Sequence, residues 1–346
     1  ALVGRGKTWY NRDMNTITVA GSALTDLVKT IDAYPQRGML TDITAVRQSV
    51  GGCVPNTAVD LKRLAPELCV TAAGRVGKDA FGAYLCERLA GEGVRTAFVE
   101  DEKRSTGFTD VMTLKNGERT FFHARGANAA FSADDLPEEA LDCDLFHLGY
   151  LLLLDRLDAA DAEYGTAAAR LLHSLQRKGI RTAVDTVSAE GGKFRRIVGA
   201  ALACTDYAVM NEIEAAAVTD VPLRNGDKLI AENLKEACRA LFKAGVSRAA
   251  VIHCPELGCG MDETGNFCAV PSLDLPREYI AGAVGAGDAF CAGMLYAFMK
   301  GLPMEEGLSL ASLCAACNLS SDDSVGGARS LAQTLALEKQ FKRRKL

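Results

Sequence analysis

The sequence predicts an α/β fold in a three-layer α/β/α arrangement: a mostly parallel sheet covered on both faces, with a small β-sheet lid. Short β-type runs alternate with helical stretches along most of the chain, the pattern of parallel strands joined by helices. Two regions break that rhythm, with β-type alternation and no helix between strands. Near the C-terminal end a glycine-rich loop opens onto a long apolar helix, an arrangement suited to holding an anion.

Strands are expected in order at residues 16–22, 68–77, 144–150, 180–187, 206–212 and 248–254, all short apolar runs. Helices are expected at 55–65, 79–91, 160–178, 192–202, 226–244, 288–300 and 304–319. A last helix is expected at 331–343, running into the charged end KQFKRRKL. The regions without covering helices are 34–50 and 94–124, and the second carries Asn116-Gly117, a strong hairpin-turn signal. Strands without helices imply a sheet projecting from the main domain, which covers a ligand, pairs with another copy, or both. The domain is expected over 16–345 with both lid segments inserted in it, and residues 1–15 as an N-terminal extension.

Composition narrows the function. The 346 residues are 48% hydrophobic and 24% charged, as in ordinary globular proteins. A net charge of −5 offers no basic field for nucleic acid or an anionic membrane. No apolar run approaches the roughly 20 residues that span a bilayer, and residues 1–16 lack a signal-peptide core, so a cytoplasmic protein is expected. The twelve cysteines are irregularly spaced, and many sit among apolar residues, where a reduced thiol packs as a small hydrophobe. Cys314 and Cys317 form a Cys-x-x-Cys pair with no second pair or histidine in reach, so it is read as structural. His147 and His253 are read as core or strand-end residues.

GAVGAGD, residues 282–288, carries the chemistry. Its glycines permit positive φ and close approach to backbone amides, and the helix that follows contributes unpaired N–H groups and a positive dipole end. Asp288 would repel a phosphate there unless it accepts a proton from an attacking hydroxyl, which points to phosphoryl transfer to an alcohol. Two other readings compete: Asp288 as a helix cap, and the glycines as a dinucleotide-binding turn, for which LDLPREYIAGAV is a poor strand. ALVGRGKT, residues 1–8, fits a relaxed phosphate-loop pattern through Lys7 and Thr8 but has no strand before it, and is read as a chance match.

Together the motifs resemble the ribokinase-like (PfkB) carbohydrate kinases over roughly residues 16–330. VAGSALTDLV resembles the family's first strand, with Asp26 at its sugar-binding acid; VGGCVPNTA matches Gly-Gly-x-x-x-Asn-x-Ala through Gly51, Gly52, Asn56 and Ala58. GRVGKDAFG (74–82), RGAN (125–128), NEIEA (211–215) and GAGDAFCAG (285–293) follow in the family's order. The resemblance implies ATP-dependent phosphorylation of a sugar-like hydroxyl, with Asp288 as general base and Gly285, Ala286, Gly287 and Asp288 forming the anion hole. It implies sugar binding by Asp26, Gly51, Gly52, Asn56 and Asn128. It places Asn211 and Glu214 near the triphosphate, with Glu214 reaching Mg²⁺ through water, and Gly258 and Asn318 near the base. Taken alone, Asn211 and Asp26 also read as helix caps.

Two departures bear on function. Gly282 and Ala283 replace the family's Asp-Thr, whose aspartate helps hold a monovalent cation, so K⁺ activation is expected to be weak or absent. Residues 185–198 lack the asparagine of the family's Asp-x-Asn-x-Arg element, so the family's sugar preferences do not carry over. A nucleoside kinase of the same fold, with a base held by Phe108, Phe121 and Phe122 of the lid, is the alternative; a non-catalytic sugar- or nucleotide-binding regulator is the third reading. A homodimer through the lid is expected.

Overall fold

Period-two alternation sends successive strand side chains to opposite faces, and the computed structural model, which describes residues 14–115, 117–188 and 193–345, shows two cores as the result. Val19, Val70, Val209 and Val251 join one core, and Ala20, Ala73, Met210 and Ile252 the other. Helices Cys53–Leu64, Ala80–Gly91, Ala286–Lys300 and Met304–Asn318 cover the first face. Helices Ala167–Arg177, Phe194–Leu202, Glu212–Thr219 and Leu234–Lys243 cover the second. The chain segment 1–13, including the phosphate-loop look-alike and most of the expected extension, lies outside the described residues, as do Asn116 and 189–192.

The 9-stranded sheet runs Phe267–Pro271, Leu257–Asp262, Ala249–His253, Tyr207–Asn211, Arg181–Thr186, Leu145–Leu151, Thr16–Gly21, Cys69–Gly77, Arg95–Asp101. Its strands pair in parallel except for the first two, which form an antiparallel edge. Strand Thr16–Gly21 lies between Cys69–Gly77 and Leu145–Leu151, so the chain reverses its direction of travel across the sheet at this point. A crevice opens at the carboxyl ends of strands at such a switch point, the usual ligand position of open α/β sheets.

The small sheet has 4 strands in the order Ile43–Gly51, Leu24–Ile31, Gly107–Leu114, Arg119–Ala124. Two assignments change. Arg95–Asp101, within the segment 94–124 placed in the lid, instead pairs in parallel with Cys69–Gly77 as the edge of the main sheet. The missing member of the small sheet is Leu24–Ile31, which leaves the end of the first main strand after only two residues. Three helices are shorter than expected. Residues 160–166 and 224–229 form small antiparallel pairs, turning at Gly165 and Gly226 with positive φ, before their helices begin. The last helix ends as Leu331–Ala336, after which Arg343 bridges to Leu273. Helix Glu212–Thr219 and the antiparallel edge strands were not expected; each is too short for periodicity to register. No described helix is long and apolar enough to cross a membrane.

Candidate active site

Gly285 starts the site. It is the N-cap of helix Ala286–Lys300 at φ 80, and a Cβ there would lie 2.2 Å from the carbonyl oxygen of Ser324. Positive φ and that contact both demand glycine. The turn leaves the amides of Gly287 and Asp288 without an acceptor among the described residues, at the positive end of the helix. The Ala286 amide makes only a long 3.4 Å bond to Ala283. Beside Gly287 the nearest neighbour of a notional Cβ is the His253 ring at 3.5 Å, so a ligand can approach the backbone.

Asp288 is not a cap. It is the third residue of the helix, and its carboxylate accepts from Tyr150 Oη at 2.6 Å and Asn56 Nδ2 at 2.8 Å. Burial pushes this carboxyl up to about 6, with the nearby Asp185 carboxylate adding to the rise and the Tyr150 and Asn56 hydrogen bonds opposing it. A base acts only when ionised, so kcat/KM is expected to stay level at neutral pH and to fall about tenfold per unit below about pH 6. A pH–rate profile checks this; an acid limb near pH 4 would show an unperturbed carboxylate.

The expected sugar residues divide into two groups. Asp26 lies on the small-sheet strand Leu24–Ile31, paired with Ser49 and Thr109, which removes the cap reading. Burial raises its carboxyl to about 7, opposed by a Thr109 hydrogen bond and raised further by Asp288. Gly51 makes room for that carboxylate, since a Cβ would meet Asp26 Oδ2 at 2.4 Å. Gly52, at φ 83, turns the chain into helix Cys53–Leu64 and so points Asn56 at Asp288. Asn56 Oδ1 is buried with no partner among the described residues. Asn128 belongs to the frame instead: its Oδ1 accepts from the Ala23 amide at 3.0 Å, and its Nδ2 donates to the Ala23 carbonyl at 2.8 Å.

Asn211 and Glu214 form a capping box, and both also line the cleft. Asn211 Oδ1 accepts from the Ile213 and Glu214 amides, while Glu214 accepts from the Asn211 amide at 3.1 Å and Ser188 Oγ at 3.0 Å. Burial raises the Glu214 carboxyl to about 7. Gly258 and Asn318 do not line the cleft. Gly258 sits in strand Leu257–Asp262 against the Phe290 ring, 2.8 Å from a notional Cβ, and buried Asn318 donates to the Ser324 carbonyl at 2.5 Å.

The cleft encloses about 500 Å³ between Phe121, Tyr150, Asp185, Ser188, Asn211, Glu214, His253, Gly285, Gly287 and Asp288. A larger cavity of about 1040 Å³ opens at the opposite ends of the strands, around Thr16, Asp144, Arg181 and Arg248. The smaller one holds the free amides and the buried base, so it is the candidate site. Tyr150 stands in no distinctive local pattern and was missed; Asp185 opens the stretch compared with Asp-x-Asn-x-Arg, but no role was assigned to it. His253 is a strand-end residue stacked on Phe290 at 4.7 Å, and burial lowers its ring to about 4, so it stays neutral.

Free amides, a buried carboxylate and a cleft at the carboxyl ends of the parallel strands suit phosphoryl transfer to a small molecule. The chain belongs to the pfkB family of carbohydrate kinases, whose family model matches residues 14–328. It is 24% identical over 322 residues to a deoxyribokinase of Salmonella typhi, covering 92% of this chain and 96% of that one. A 2-dehydro-3-deoxygluconokinase of Escherichia coli is 25% identical over 273 residues, covering 75% of this chain and 84% of that one. Arabidopsis thaliana ribokinase, solved with ribose and ATP, shares the fold with a TM-score of 0.76 and 21% identity, over 94% of this chain and 99% of that one. This chain is a sugar kinase.

Proposed function

We propose that this enzyme transfers the γ-phosphoryl group of ATP to a hydroxyl of a sugar or sugar-like molecule, directly and without a covalent enzyme intermediate. One observation carries the reading: a buried carboxylate, held by Tyr150 and Asn56, shares a helical turn with two unpartnered amides. Asp288 takes the proton of the attacking hydroxyl while the Gly287 and Asp288 amides donate to oxygens of the transferring group. Glu214 suits an indirect contact to Mg²⁺, since both its oxygens already accept hydrogen bonds and hard cations of this kind keep much of their water. When bound, Mg²⁺ neutralises phosphate charge.

The relatives are named for different sugars. The test is therefore ADP release with Mg-ATP over ribose, deoxyribose, 2-dehydro-3-deoxygluconate, other sugars and sugar acids, and nucleosides. Turnover of a sugar supports the reading, and turnover of nucleosides alone would replace it with a nucleoside kinase. The aromatic clamp needed for a base is incomplete: Phe121 lines the cleft, but Phe108 packs on Phe81 at 6.0 Å and Phe122 is absent from the lining.

Two further predictions arise here. A Cβ at Gly282 would lie 2.9 Å from the Ser321 carbonyl oxygen and 3.2 Å from Asp322 Cα, so the backbone after helix Met304–Asn318 occupies the place of an acidic side chain. Replacing Na⁺ by K⁺ at constant ionic strength is expected to change kcat less than twofold; a several-fold gain would refute this. The small sheet acts as a lid, with Arg47 and Arg119 reaching down to Asp322. It exposes Leu40, Met39, Val46, Ile43 and Phe122, an apolar surface that a second copy would cover. Sedimentation is expected to show a dimer for the wild type and a monomer for Val46→Glu.

A further inference from the structure

We propose that Cys53, His147, Asp185 and Cys291 form a site for a thiophilic divalent cation, zinc above all, in the wall behind Asp288. The four side chains come from four elements: the first turn of Cys53–Leu64, strands Leu145–Leu151 and Arg181–Thr186, and helix Ala286–Lys300. All are buried, His147 and Cys53 completely. One ligand atom each from Cys53, His147 and Asp185 lies within 4.8 Å of the other two. His147 Nε2 is 3.5 Å from Cys53 Sγ, 3.6 Å from Asp185 Oδ2 and 3.8 Å from Cys291 Sγ.

The three separations from His147 Nε2 match edges of a tetrahedral coordination sphere. Zinc bonds of about 2.3 Å to sulfur and about 2.0–2.1 Å to nitrogen, at tetrahedral angles, put sulfur and nitrogen about 3.6 Å apart. Thiol–imidazole hydrogen bonds from Cys53 and Cys291 to His147 Nε2 account for part of the cluster, but not for the carboxylate. Asp185 Oδ1 and His147 Nδ1 are buried with no partner among the described residues, and the 3.6 Å from ring to carboxylate is too long for a hydrogen bond. Simple packing of thiols does not explain a carboxylate and an imidazole turned toward them. Gly149 keeps the space clear: a Cβ there would fall 1.9 Å from Asp185 Oδ1 and 2.5 Å from Cys53 Sγ. Asp185 and Cys291 also line the cleft, which gives an ion its way in.

Sulfur, imidazole and one carboxylate select zinc or cobalt over magnesium, which takes oxygen ligands in octahedral geometry. Cys53, His147 and Asp185 supply three bonds, and Cys291 stands as the fourth donor. Binding releases the protons of the coordinated thiols to solvent. The inference is independent of the sugar assignment, because it concerns the protein without substrates.

The test uses the full chain, reduced and stripped with a chelator, then titrated with Co²⁺. One equivalent is expected to bind, with the visible bands of tetrahedral cobalt and a thiolate charge-transfer band, both abolished by zinc and untouched by millimolar Mg²⁺. Competition with a chromophoric chelator is expected to show zinc affinity falling at least about 100-fold in Cys53→Ser, beyond the usual effect of losing an outer-shell partner. Zinc is also expected to raise the melting temperature of the wild type and not of that variant. Substoichiometric retention would overturn the proposal, as would stoichiometric uptake without a thiolate band. Should Cys53→Ser fail to fold, the wild-type cobalt spectrum and the Cys291→Ala variant decide by the same criteria.

Discussion

Replacing Asp288 with Asn is expected to lower kcat by about 10²–10⁴-fold, the usual contribution of a positioned general base and about 3–5 kcal/mol of barrier. The amide cradle and the cleft remain, so the KM for ATP should move little. Folding should be preserved: the Asn carbonyl accepts from Asn56, and its amide donates to Tyr150, which reverses its role. The linkage sign supports this. The folded pKa of about 6 lies above the ordinary value of 3.8, so the stability contributed below about pH 4 is lost as pH rises through about 6. At pH 7.5 the wild type bears an ionised, buried carboxylate that the variant lacks, and the variant's melting temperature should be equal or higher. Calorimetry beside steady-state kinetics checks both; turnover within tenfold of wild type would remove Asp288 from the mechanism.

Gly285→Ala is expected to have the next largest effect. The new methyl group would meet the Ser324 carbonyl at 2.2 Å and force a side chain into φ 80. Positive φ costs an L-residue roughly 1–2 kcal/mol, and the clash is with backbone that has little room to yield. Relief comes by rotating the turn, which re-aims the Gly287 and Asp288 amides. Losing one such donor lowers kcat by about 10²–10³-fold. Turnover of a folded variant should therefore drop by at least about 10²-fold, with a modest loss in melting temperature. Gly287→Ala offers the contrast: space is open beside it, so the protein should keep its stability and lose rate only through obstruction of the ligand.

Local signals were legible wherever they repeat or sit together in the chain. The parallel strands and most of their helices follow from short apolar runs and helical spacing, and the anion cradle from glycines packed into seven residues before a helix. Asn211 was legible as a helix cap as well as a cleft residue, and the structure shows it in both places, in a capping box with Glu214 that was not expected. Short elements fared worse, because a helix of 8 residues or a strand of 5 offers too few periods to separate from its neighbours.

Pairing was not legible. Arg95–Asp101 and Gly107–Leu114 have similar alternation, yet one closes the edge of the main sheet and the other builds the lid. The helix Ala80–Gly91 carries the chain back beside Cys69–Gly77, and only then is the parallel partner chosen. Asn128 shows the same limit from the other side: its motif pointed to the sugar, and tertiary contacts spent both ends of its amide on Ala23. By itself the sequence determined the layers, the cradle and the base, since these depend on residues within a few positions of one another. Only the tertiary structure brought Tyr150 and Asn56 onto Asp288, and Cys53, His147 and Asp185 to one point, because convergence across 232 or 94 residues is decided by packing and not by local preference.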